Sequence, residues 1–149
     1  MITALLVLQT FHVLFLGLHD WIPLGRLNDL RAVRAENSTH KLVLGTLVST
    51  IPFAFGWAAS IHYLGKIYPG WLRMWLWVSY AMLFVGEMQA WWIPYLLRPE
   101  PQRGARYDAM FGCTHAFLPV HHGIRPNTLH VILHTATVLT LVFLWLTGR

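Results

Sequence analysis

The chain has 149 residues, 56% of them hydrophobic and only 11% charged, against about 25% charged in soluble domains. That leaves too little charge to solvate a water-exposed surface and argues for an integral membrane protein. The formal net charge of +5 comes from basic residues grouped in membrane-flanking loops, which argues against a nucleic-acid partner, and the lone cysteine, Cys113, excludes an internal disulfide.

Four segments are long and apolar enough to approach the ~20 residues a hydrocarbon core requires, at about 2–19, 42–64, 71–97 and 128–147. The sequence therefore predicts an all-α fold: one membrane domain over 1–149, built as a four-transmembrane-helix bundle with connecting loops 20–41 and 98–127. The first segment lacks a basic n-region and a small-x-small cleavage site, so it reads as a retained helix. Its polar residues Gln9, His12 and His19 fall on one face by their spacing of three and seven, with Asp20 at the helix end. Loop 20–41 carries Trp21 and Pro23 as an interfacial anchor and exit turn. Asn28 or Asp29 caps a short amphipathic segment, LRAVRAE at 30–36.

The second segment holds Thr46, Ser49 and Thr50 ahead of Pro52, a candidate kink. The third holds the only acid of any apolar segment, Glu87, with Tyr80 two turns before it and Trp91 one turn after. A carboxylate at that depth costs a few kcal/mol and defaults to a functional hypothesis. Loop 98–127 is long for a helix connection, and Arg106, Tyr107 and His115 are placed to fold over a chamber mouth. The fourth segment opens at Pro126 with Asn127 as N-cap. It then presents His130, His134 and Thr137 as one stripe.

Eight basic residues lie in loops 20–41 and 98–126, against Lys66, Arg73 and Arg149 elsewhere. The positive-inside rule then puts both loops in the cytoplasm and both termini on the opposite side of the plasma (inner) membrane. With that orientation nearly all strongly polar intramembrane groups fall in the cytoplasmic half. Glu87 with His130 or His134 as its proton partner, and His12, His19 and Asp20 opposite, form the expected acid–base set. Trp91, Asn127, Gln9, Tyr80, Arg106 and His115 are the expected substrate contacts.

These residues predict an enzyme acting on a lipophilic small molecule or lipid by proton transfer, of isomerase, cyclase or hydratase type. The alternative is a small proton-coupled transporter or channel subunit, as a homo-oligomer. A further alternative is a metal or haem protein using His12 or His19 with His130 or His134. No motif calls for a cofactor, and the H-x-x-x-H spacing of His130 and His134 alone is not a metal site.

Four stretches, LHDWIPLGRLNDL, ENSTHKLVLGTLVST, EMQAWWIPYL and RYDAMFGCTHAFLPVHHGIRPNTLHVILH, together resemble a family of small bacterial four-helix integral membrane proteins. The resemblance implies the four-helix architecture and carries no activity with it. In size, helix number and an acid set among aromatics, the chain is also similar to the EXPERA group of sterol isomerases and the sigma-2 receptor. That likeness implies a compact bundle holding a lipophile, without transferring any acid position to this sequence.

Overall fold

The computed structural model describes residues 1–147; Arg149, one of the basic residues counted above, lies outside them. The fold is all-helical, with no strand among the described residues. The long helices are α1 (Ile2–Leu18), α3 (Thr39–His62), α4 (Gly70–Glu87) and α7 (Thr128–Thr147), with the short α2 (Leu30–Glu36), α5 (Ile93–Leu96) and α6 (Pro101–Phe111) between them. A π-helical turn, Met88–Trp92, joins α4 to α5.

Local chemistry sets the helix starts. The Asp29 side chain accepts hydrogen bonds from the backbone N–H groups of Arg31 and Ala32 at 3.1 and 3.0 Å, which caps α2. Ser38 accepts from the Lys41 N–H and caps α3, and Asn127 accepts from the His130 N–H at 3.0 Å and caps α7. Asn28 does not cap. It ties the 19–28 turn together through Leu24 N–H and the carbonyls of His19 and Ile22. α3 starts three residues before the expected 42 and runs unbroken through Pro52. The third apolar segment proves to be three consecutive pieces, α4, the π turn and α5. Loop 98–127 contains α6, an eleven-residue helix opened by Pro101.

The four long helices form a ring in which α1 and α4 each pack against both α3 and α7. Its apolar interior centres on Leu5, Phe53, Leu72, Leu76, Tyr80, Leu133 and Leu144. Gly56 permits a close approach of α3 to α4: a Cβ there would lie 2.9 Å from Leu76 Cδ2. Gly45, the other glycine of α3, has open space around it. At one end α2 packs on α6 through Val33, Met110, Trp21, Tyr107 and Phe111.

Large apolar side chains also cover the outside of the bundle, and several polar ones lie inside it. Val48 of α3 is 66% exposed and Met82 of α4 is 71% exposed, and Leu14, Leu47, Ile51, Val78, Val85, Leu139 and Val142 also face outward. Gln9, His12, Ser60, Glu87, His134, Thr137 and Thr140 are buried. Two helices, α3 and α7, are long and apolar enough to cross a membrane, and α1 is a shorter apolar helix.

Candidate functional site: a buried Glu87–Thr137–His12 chain

Glu87 is the last residue of α4 and is 6% exposed. Its Oε1 lies 2.8 Å from Thr137 Oγ1 on α7. The same hydroxyl lies 3.1 Å from His12 Nε2 on α1 and 3.1 Å from the Leu133 carbonyl one turn back. His12 Nδ1 is 2.7 Å from the Leu8 carbonyl. A carbonyl only accepts, so Nδ1 carries a hydrogen and Nε2 is the nitrogen free to gain or lose one. His12 and Thr137 are both fully buried, and the Tyr80 and Phe53 rings flank the imidazole at 4.9 and 6.4 Å.

Thr137 has one hydrogen and two lone pairs, and this limits the proton counts the chain accommodates. With one proton to share, the Glu87 carboxyl donates to Thr137 and Thr137 donates to His12 Nε2. Shifting both hydrogens reverses the chain: His12 donates to Thr137, and Thr137 donates to the carboxylate. With a second proton, Glu87 and His12 both donate to Thr137, whose own hydrogen turns to the Leu133 carbonyl. With neither proton, Thr137 satisfies only one of two buried acceptors. The three side chains therefore accommodate one shared proton or two, with a hydroxyl linking an acid to a base.

The polar row continues beyond these bonds. Glu87 Oε2, the Tyr80 hydroxyl and both amide atoms of Gln9 are buried without a protein hydrogen-bond partner. Such atoms each cost about 1–3 kcal/mol when left unpaired. Gln9 is one helical turn from His12, and Tyr80 touches the His12 ring. The orphaned groups thus adjoin the hydrogen-bonded chain on α1 and α4.

His130 and His134 do not reach Glu87. The Trp92 indole N–H donates to His134 Nδ1 at 3.0 Å. His130 Nδ1 lies 2.6 Å from Asn127 Oδ1, while its ring packs on Trp91 at 4.3 Å and Phe111 at 5.0 Å. The expected partnership of Glu87 with these histidines is therefore replaced by Thr137 and His12. The reason is level: Thr137 lies one turn further along the α7 stripe than His134 and meets the end of α4. Trp91, expected beside Glu87, instead lies between His130 and Tyr107, with each ring 4.3 Å away. Burial pushes the Tyr107 phenol upward, with the Arg103 and Arg106 charges opposing it.

The π turn after Glu87 leads into Pro94, which has no N–H, so the backbone there is one donor short. Arg103 of α6 supplies it, donating from Nη1 to Gln89 and Ala90 at 2.7 and 3.2 Å, and is held by Glu100 at 2.9 Å. Arg106, the arginine the sequence favoured, instead bonds Asn37 at 2.8 Å and ties α6 to the end of α2.

The remaining expected groups have other partners. His19 and Asp20 meet each other at 3.3 Å in the turn that follows α1. His115 is exposed, sits 2.7 Å from Thr128 Oγ1 and fastens the approach to α7. Asn127 is structural as well as central: beyond its cap it donates to Thr114 at 3.1 Å. His121 and Ile124 close a tight turn on each other's backbone, with φ of 51° at His122 and 75° at Gly123. Among the described residues no three His, Cys, Asp or Glu side chains converge to hold a metal ion. The chain matches no protein-family model, no curated protein and no solved structure.

Proposed function

We propose that the chain is a four-span protein of the plasma (inner) membrane, with α2, α6 and both basic loops in the cytoplasm. In this reading its function is proton-coupled, as a small transporter or channel subunit with the Glu87–Thr137–His12 chain as its relay. The outward apolar faces of α1, α3, α4 and α7 support the membrane setting. So does the length of the α4–α5 rod, residues 70–96, about 40 Å at a helical rise. Intramembrane acid–histidine pairs serve as proton relays.

The observation that carries the proposal is the hydroxyl bridge, which keeps a buried acid and a buried base mutually satisfied with one proton or two. The test is infrared difference spectroscopy of the protein in vesicles as the bulk pH is stepped. A carboxyl band that responds to the step, disappears in Glu87→Gln and shifts in Thr137→Val is the expected result. A spectrum unchanged by Glu87→Gln overturns the relay.

One observation favours a second reading, acid–base catalysis on a lipophile. Glu87 Oε2 and the Tyr80 hydroxyl lack protein partners beside the relay, so a substrate oxygen has two groups to meet. A lipophile that co-purifies with the wild type and is missing from Glu87→Gln would select this reading over transport.

A further inference from the structure

A cavity lies away from Glu87, between α1, α4 and α7 at the end of the bundle opposite α2 and α6. It has a volume of ≈ 630 Å³, within the range of small-molecule sites. Leu5 and Leu144, both nearly fully buried, form its apolar base, and Met74 and Trp77 form a wall. Lys66 and Arg73 also line it. No acidic side chain does, and neither cation is in an ion pair among the described residues.

The placement of these two cations is unusual. Eight of the eleven basic residues lie in the loops at the other end. Lys66 and Arg73, the two outside those loops among the described residues, converge on the same cavity. A cation pair above a buried apolar slot, with an indole on the wall, matches the chemistry of an anionic amphiphile whose chain enters the slot.

We infer that this cavity binds one anionic phospholipid, with the phosphate on Lys66 and Arg73 and an acyl chain against Leu5, Met74, Trp77 and Leu144. The inference rests on the membrane-spanning reading above, because only there does the cavity open to lipid. Two headgroup contacts of this kind give a preference of roughly ten- to thirtyfold for an anionic over a zwitterionic lipid.

The experiment is native mass spectrometry of the full chain released from detergent, titrated with phosphatidylglycerol and with phosphatidylcholine. The expected result is a first phosphatidylglycerol bound roughly tenfold or more tighter, with the preference abolished in Lys66→Gln/Arg73→Gln. It should survive in Arg31→Gln/Arg34→Gln, which removes equal charge from the opposite end. Millimolar inorganic phosphate should leave the lipid bound. Equal binding of both lipids by the wild type, equal loss in the two double variants, or full displacement by phosphate would each overturn the inference. Carbonate extraction of membranes separates its failure from that of the parent reading. A chain washed off the membrane refutes the four spans, whereas a chain retained there without lipid preference refutes only the lipid site.

Discussion

Replacing Thr137 with valine keeps the side-chain shape and deletes the one hydroxyl shared by Glu87 and His12. Thr140, one turn along the same helix, supplies the matched control. Both threonines are fully buried and both hydrogen-bond the carbonyl four residues back, at 3.1 Å for Thr137 and 2.8 Å for Thr140. Only Thr137 also bridges two other helices, at 2.8 Å to Glu87 and 3.1 Å to His12. Interhelical hydrogen bonds inside membranes average about 0.6 kcal/mol and reach about 1.7. Losing two, and leaving an acid and an imidazole without their shared partner, gives about 1–3 kcal/mol for Thr137→Val. Thr140→Val removes only a bond within its own helix and should stay within about 0.5 kcal/mol of wild type.

The assay is reversible denaturation in mixed micelles, followed by tryptophan fluorescence, for both variants and for each combined with Glu87→Gln. In Thr137→Val/Glu87→Gln the two losses should be sub-additive, because they share one bond. With Thr140→Val the losses should simply add. Equal destabilisation by Thr137→Val and Thr140→Val, with additive double variants, would refute the bridge, and with it the proton counting built on Thr137.

Arg103→Ala should destabilise the protein by about 1–3 kcal/mol, because the Gln89 and Ala90 carbonyls lose a charged donor. The same denaturation assay should show a smaller loss when Pro94→Ala restores a backbone N–H in the same chain. Gly104→Ala places a Cβ 2.9 Å from the backbone oxygen of Gly123 and should cost about 1–3 kcal/mol. Gly45→Ala, with open space around it, should be neutral or stabilising by up to about 1 kcal/mol. Asn127→Ala removes the α7 cap and the bond to Thr114 and should cost about 1–2 kcal/mol. Hydrogen exchange should show that loss as faster opening of the first turn of α7 than of its middle.

What the sequence made legible is the chemistry that acts locally. Asp29 and Asn127 cap the helices they immediately precede. The apolar run at 128–147 and the amphipathic LRAVRAE at 30–36 become helices with those bounds. In each case the signal and its partner lie within one turn of chain. The polar stripe of α7 was legible as a stripe for the same reason, since periodicity fixes which residues share a face. What periodicity does not fix is the level at which two faces meet. His130, His134 and Thr137 all point toward α4, and sliding the pair by one turn exchanges which of them meets Glu87. In the structure the three are each occupied by a different group: Asn127 and Trp91 at His130, Trp92 at His134, and Glu87 at Thr137.

The π turn carries two adjacent tryptophans that both take histidine partners on α7, Trp91 with His130 and Trp92 with His134. Pro94 is plain in the sequence, but what the turn offers α6 is the Gln89 and Ala90 carbonyls, and a carbonyl has no side-chain signature to match against a candidate donor. Loop 98–127 offers several arginines, and the one that caps those carbonyls, Arg103, is selected by where α6 lies. The helix α6 is itself anchored from elsewhere, by Arg106 on Asn37 and by Gly104 against Gly123. The position of Glu87 thus depends on a chain of support that runs from α2 through α6 to the π turn. A substitution that loosens α6 should therefore alter the titration of the Glu87 carboxyl band without touching the relay. Arg103→Ala recorded in the infrared experiment is the direct comparison, and an unchanged Glu87 band would show that the π turn holds its shape without the arginine.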